Sequence, residues 1–529
     1  MTAAPSGEMK RSLSLTGVTV NAMALIAPGA FLWTTFQVQA AQTHGSASTA
    51  PDMWTGLVFS LILALLTAYS YAELARIYPD AGPGSSYYFA EAAFLDKKRP
   101  QHRRMARAAK LSVGWISHLY YWIYPGIMVA FTATLAGYIY QVLFHHQLSW
   151  LPLSVIAIGF SAMVGYIAYR GITASTNAAI AVNVIQILSL VAVAVVFIVF
   201  RTTHPHAAGG YELSGVGNVF WGKGHSFVNL LYQSTIAILL LVGFESITAL
   251  GAETIRPERD IKRGVLISLI IQGGICYLFE YFGANYAIGG ATIAGKDAAG
   301  HAVTGYAAAA ASGAPIGDMV TKVGNTALGN SGQTLALIMA ATVLLALIGT
   351  TLACLNTGVR VTYAMGKDKE MPGILGLLHG KYATPHMGIW VLVAVSAVFG
   401  IYGVHTVDNL TQITLASNTG TFLVYGATCL IALVAFASRH DRHVVKHYMI
   451  PGLGLLMNIG ELLGVVYLAL KAGGATADDA YKAIYIVIAW IVVGVIWVAL
   501  NPRMRGSKMF ADPGPPMEPN TNAKVRIRV

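Results

Sequence analysis

Charge is scarce in this chain: 11% of its 529 residues are Asp, Glu, Lys or Arg, where soluble domains carry roughly 25%. With a mean hydropathy of +0.60, that scarcity argues against a soluble enzyme. Cysteine is scarcer still. Cys276, Cys354 and Cys429 each stand alone inside an apolar block, which excludes a disulfide framework and a cysteine zinc motif. No His-Glu-x-x-His or Gly-x-Ser-x-Gly stretch occurs, so an intramembrane hydrolase has no chemistry assembled for it. The run Gly290 to Lys296 fits G-x-x-x-x-G-K, but Asp297 stands where a phosphate-binding loop needs Ser or Thr. An ATP-driven pump is excluded on that ground. His145-His146 and His204/His206 lack a second pair and read as loop residues. No metal site, no cofactor and no enzymatic activity are expected.

What the chain has in abundance is long apolar runs. Hydrophobic residues make up 55% of it, in about a dozen blocks of roughly 20, each long enough to cross a hydrocarbon core of about 30 Å at 1.5 Å per helical residue. The blocks lie near 14–38, 53–77, 112–144, 150–168, 175–200, 226–251, 263–288, 333–364, 386–404, 409–436, 449–470 and 481–500. The expected fold class is an all-α polytopic membrane protein of about 12 transmembrane helices. Residues 13–500 form one transmembrane domain between cytoplasmic tails, 1–12 and 501–529. The polar start leads into Leu13 without a small-residue cleavage site, so the first block reads as a span rather than a signal peptide. PGPPMEPN near the end reads as disordered.

The net charge of +11 reports orientation here rather than nucleic-acid binding. With both termini cytoplasmic, 28 of the 34 basic residues fall on one side, including the run Asp96 to Lys110. Arg201, Lys223, Lys296, Lys322, Lys471 and Lys482 fall on the other, and positive loops are retained inside. The basic run reads as a topology anchor against the anionic inner leaflet. A multi-pass protein of the plasma or inner membrane is expected.

Two blocks are interrupted. In the first, Pro28 and Gly29 lie about halfway along; in the sixth, Gly243 and the ionisable Glu245 lie at similar depth. Unwound backbone in a membrane is tolerated only where protein or a watery cavity satisfies it. Matching breaks five spans apart point to an inverted-repeat transporter, with substrate held between them. A channel is the different-class alternative, but channels commonly repeat a filter by subunit symmetry, whereas this chain pairs single breaks.

Three segments then carry a resemblance. YAELARIYPDAGPGSSYYFAEAAF (Tyr71 to Phe94), AETIRPERDIKRG (Ala252 to Gly264) and NTGVRVTYAMGKDKEMP (Asn356 to Pro372) resemble, in order, the cytoplasmic exits of spans 2, 6 and 8 in the amino acid/polyamine/organocation family of secondary transporters. The resemblance covers roughly residues 13–500. It implies a five-plus-five inverted repeat with discontinuous helices 1 and 6: repeat one about 13–200, repeat two about 226–436, and additional helices about 449–500. It further implies a permease for amino acids, or for polyamines or other organic amines, working as symporter or antiporter. The substrate carboxylate is then held by amides at the span 1 break and its amino group by carbonyls near both breaks. The physics agrees, since a half-helix N-terminus carries free amides and about +0.5 of a charge.

The family pattern Gly-x-Gly-Ile-Phe is here Ala27-Pro28-Gly29-Ala30-Phe31. Pro28 has no N–H, so carboxylate binding rests on Gly29, Ala30 and Phe31. Many proton-coupled relatives carry a lysine in span 5 after a Val-Asn pair; Val182-Asn183 is followed by none. Phe31, Tyr124, Phe244 and Glu245 complete the expected site, with an apolar stretch, Leu239 to Val242, where a gating aromatic is common. Coupling to H+ is expected through Glu245 or Glu280, and the competing Na+ site would use hydroxyls of Thr350 and Thr351. Glu461 in span 11 also lies at membrane depth, where a carboxylate is costly. Which small molecule is carried, and the oligomeric state, stay open at this point.

Overall fold

The computed structural model describes residues 13–510 apart from 27, 79–84, 98, 172–175, 204–225, 281–292, 298, 328, 503 and 505. The expected tail 1–12, residues 511–529 of the expected tail 501–529, the Pro-x-Ala-Gly stretch from Pro79, His204/His206 and the last residues of the seventh block lie outside the described residues.

The first block is two helices, α1 (Leu15–Ile26) and α2 (Pro28–Ala41). Pro28 fixes the joint: it cannot continue α1 without clashing one turn back, yet it suits the first turn of α2, where no N–H is required. A two-residue hairpin, β1 (Thr43–His44) with β2 (Ala47–Ser48), leads to α3 (Met53–Ile77). After α3 come α4 (Ser86–Leu95), the short α5 (Pro100–Arg103), α6 (Ala106–Phe144), α7 (Trp150–Tyr169) and α8 (Thr176–Thr203).

The sixth block opens as α9 (Phe227–Ala237), passes through a 3-10 turn at Ile238–Leu240, and resumes as a 3-10 helix at Phe244–Glu253. Then follow α10 (Pro257–Tyr277), the hairpin β3 (Ala294–Lys296) with β4 (Ala302–Thr304), α11 (Gly305–Ala311) and α12 (Pro315–Ala327). The second repeat closes with α13 (Gly332–Lys367), α14 (His386–Gly403) and α15 (Val407–Phe436); α16 (Ile450–Lys471) and α17 (Gly474–Leu500) are the additional pair. Among the described residues nine helices are long and apolar enough to cross a membrane. With α8 and the two interrupted spans they fill the twelve blocks, in a five-plus-five arrangement plus two.

Three span starts differ from the sequence reading, the seventh beginning at Pro257 rather than near 263. The third span starts at Ala106, inside the basic run, because Lys110 is held by Glu91 and Asp368, each at 2.7 Å. The twelfth starts at Gly474 rather than near 481, because the buried Asp479 accepts from Gln412 Nε2 at 2.8 Å. The outer segment between the seventh and eighth spans is folded rather than a loop. Gln37 of α2 donates to the Ala310 carbonyl of α11 at 3.1 Å, tying that segment to the first span. Of the residues after 500, Gly506–Phe510 form a 3-10 turn and Met504 is buried.

Small residues set how closely the helices approach. A Cβ on Gly126 of α6 would sit 2.5 Å from Cβ of Phe399 on α14, and one on Gly400 of α14 would sit 2.5 Å from Val129. On Gly420 of α15 it would lie 2.9 Å from the backbone nitrogen of Tyr120. That last approach lays α15 against the stretch of α6 that carries Tyr120, Tyr121 and Tyr124. Between α4 and α5, Lys97 caps α15: its ammonium reaches the carbonyls of Val434 and Ala435 and Ser438 Oγ.

Candidate functional site

The break in the sixth span turns on Gly243, whose φ is +119°, a region that L side chains avoid. Its carbonyl accepts from Ser246 Oγ at 2.7 Å, and the Leu240 carbonyl accepts from Gln272 Nε2 of α10 at 2.8 Å. Glu245 satisfies the amide: Gly243 N–H donates to Glu245 Oε2 at 3.0 Å. The same carboxylate gathers three phenols. Tyr425 of α15 donates at 2.8 Å, Tyr120 at 3.2 Å and Tyr121 at 3.4 Å. Glu245 is 1% exposed, so these donors replace the water that burial removes.

An aromatic wall continues from that carboxylate to the first break. Phe244 packs on Tyr425 and edge-on to Tyr71, with ring centroids at 5.2 and 6.0 Å. Tyr120 lies against Tyr124 at 5.1 Å, and Tyr124 stacks on Phe31 at 5.4 Å. The hydroxyl of Tyr124 has no hydrogen-bond partner. Gly29 is buried at the start of α2, and a Cβ placed on it would meet the Gln186 side chain of α8 at 3.3 Å. Both polar atoms of the Gln186 amide are buried without a partner. An unsatisfied amide beside a helix N-terminus is a polar spot that a substrate group can complete.

The structure therefore brings Phe31, Tyr124, Gly243, Phe244 and Glu245 into one contiguous centre next to Gly29. Pro28 and Ala30 flank Gly29 on α2, and Ala27 lies outside the described residues. Glu280 is elsewhere, in the turn that ends the α10 span. It is buried beside Gln39 and its oxygens accept no hydrogen bond. Thr350 and Thr351 are buried on α13, which packs on α1; their hydroxyls donate to the carbonyls of Ala346 and Leu347. Sequence reading passed over Gln186, Gln272, Tyr120, Tyr121 and Tyr425. The two glutamines carried a usable signal, because an amide inside an apolar span has to find polar company.

The centre is closed to solvent, and a second set of bonds closes one end of the bundle. Glu73 at the end of α3 accepts from Lys262 of α10 at 2.7 Å and from Arg76 at 2.8 Å. His447 Nε2 lies 3.5 Å from the same carboxylate.

A bundle of apolar helices whose first and sixth members are interrupted around a closed aromatic centre is that of a secondary transporter. The chain belongs to the amino acid permease family, whose model matches residues 12–496. It is 25% identical to the low-affinity putrescine importer PlaP of Escherichia coli (strain K12), over 97% of each chain. It is 23% identical to the branched-chain amino acid permease BcaP of Bacillus subtilis (strain 168), over 95% of each. The methylthioribose transporter of the same Bacillus strain is 22% identical, over 75% of this chain and 76% of its own.

Proposed function

We propose that this permease carries α-amino acids with apolar side chains, by alternating access around the centre between α2 and the sixth-span break. The observation that carries the reading is the state of Glu245. All its donors come from the protein, so a diamine entering the centre meets no unengaged carboxylate for either ammonium group. The groups that remain are the N-terminal amides of α2, the unpartnered Gln186 amide and Tyr124 hydroxyl, and a wall of Phe31, Phe244 and Tyr124. They suit one carboxylate, one ammonium and an apolar side chain. The name of the Bacillus relative BcaP agrees with that substrate class.

The second reading is a polyamine or another organic amine. Pro28 weakens the anion site by one amide, and the PlaP relative is a putrescine importer. Counterflow in proteoliposomes with labelled leucine, valine and putrescine decides: saturable leucine exchange that valine competes is expected, and putrescine exchange without leucine exchange overturns it.

Uptake is coupled to H+, with Na+ as the competing ion. Glu245 is engaged by four donors, which leaves Glu280, buried outside the centre with no hydrogen bond to its oxygens, as the coupling acid. An inward pH gradient without sodium drives uptake on this reading. Uptake that requires sodium and ignores that gradient refutes it and turns attention to Thr350 and Thr351. Both termini face the cytoplasm of the plasma or inner membrane, on the partition of basic residues given above.

A further inference from the structure

The additional helix α16 belongs to neither repeat, yet it sets an acid against the span that breaks. Glu461 is fully buried, and neither of its oxygens accepts a hydrogen bond. The hydroxyls nearest it are spent on carbonyls of their own helix α9, Ser234 on Leu231 at 3.0 Å and Thr235, which lies across from it at Gly464, on Tyr232 at 2.8 Å. Asn458, one turn back on the same face of α16, donates to Thr67 Oγ1 of α3 at 3.1 Å and to the Gly454 carbonyl at 2.7 Å. Asn418 of α15 donates to the Thr235 carbonyl at 2.7 Å. Both asparagines thus commit their N–H groups elsewhere, and their Oδ1 atoms are buried without a partner.

What is left over on these side chains is acceptor oxygen: two from Glu461 and one from each asparagine. No charged side chain among the described residues acts on Glu461. Of the titratable groups on the helices packed around it, Cys429 of α15 lies beside Thr67 and Tyr232 of α9 beside Tyr467 of α16, and neither type is ordinarily charged near neutral pH. Tyr425 of α15 is bonded to Glu245, and Glu73 of α3 to Lys262 and Arg76. Of the two acids of α17, Asp478 is exposed and Asp479 is bonded to Gln412. A carboxylate that has lost its water and gained neither donor nor counter-charge is stable only when something positive joins it.

We propose that a small monovalent cation, a proton or Na+, binds at Glu461 between α9, α15 and α16, with the amide oxygens of Asn418 and Asn458 bordering the site. Because α9 runs directly into the substrate-site break, loss of the cation loosens the packing behind that break. The site thereby links cation occupancy to the shape of the centre from outside the ten-span repeat.

The test uses purified full-length protein in detergent and no substrate, so its failure is separate from any failure of the amino acid reading. Infrared difference spectra between acid and alkaline pH are compared for wild type and Glu461→Gln. Melting temperature is measured in parallel at alkaline pH in sodium chloride and in choline chloride. A protonated-carboxyl band present in wild type and lost in the variant assigns a proton. A sodium-specific rise in melting temperature that the variant loses assigns Na+. If Glu461→Gln does not yield folded protein, Asn418→Leu serves the same comparison, with a shifted band or a reduced sodium effect expected. Responses identical to wild type in the folded variant, or no response in wild type, overturn the proposal.

Discussion

Glu245 holds one amide and three phenols, and that arrangement makes its charge a fastener for the sixth-span break. Glu245→Gln replaces an acceptor by an amide whose N–H2 then faces donors, a conflict of about 1–3 kcal/mol. A lower melting temperature together with loss of counterflow is expected. A variant that melts like wild type and still exchanges substrate would remove Glu245 from the fastening role. Gly29 is constrained differently. Any Cβ there presses on Gln186 at 3.3 Å, and the extra methyls of valine overfill the joint by about 1–3 kcal/mol. Gly29→Val should express and insert yet lose uptake; unchanged affinity in a transport assay places the site elsewhere. Glu245 and Gly29 were legible in the sequence because an acid and a proline-glycine pair are conspicuous inside apolar runs. Tyr120 and Tyr425 were not, since an aromatic residue in a membrane helix looks the same whether it faces lipid, core or a carboxylate on another span.

At the level of elements, Pro28 marked the first joint to within a residue, and the helix pairing around it follows. The 3-10 course of Phe244–Glu253 left no trace in composition, because its broken hydrogen bonds are met by Ser246, Gln272 and Glu245, whose partners only the folded chain brings near. The same holds for α4, which docks on the end of α13 through charge. Tyr87 OH lies 2.9 Å from both Asp368 and Glu370, and Lys110 joins Asp368 and Glu91. Glu370 follows the α13 span, and burial raises its carboxyl to about 7 from an ordinary 4.5, against the opposing Tyr87 bond. With the folded value raised, its stabilising contribution is complete below the unfolded value and is lost as pH rises through about 7. Melting temperature should therefore fall between about pH 5 and about pH 8. Glu370→Gln should flatten that fall; an equally steep fall in the variant assigns it to other groups.

For the whole molecule, the twelve blocks and their order were written in hydropathy, and the basic residues divide 28 to 6 between the two faces. That division is the ground on which both termini are proposed to lie inside. Cysteines introduced at Thr43 and Gln101 of an otherwise cysteine-free protein test it in intact cells: the first should react with an impermeant thiol reagent and the second should not. Reaction at Gln101 from outside inverts the orientation. The folded outer segment from β3 to α12 was invisible to the same reading, because its alanine- and glycine-rich sequence lacks a span's length and its ties to α2 are long-range. Lys97 carries a last consequence. Its ammonium is taken up by two carbonyls and a hydroxyl at the end of α15, while Lys367 at the end of α13 stands exposed. An amine-acylating reagent should mark Lys367 within moments and leave Lys97 unmodified until the α4 to α5 connection lifts from α15. The slow appearance of a label at Lys97 in a mass spectrum would then act as a clock for that motion, readable without any transported solute.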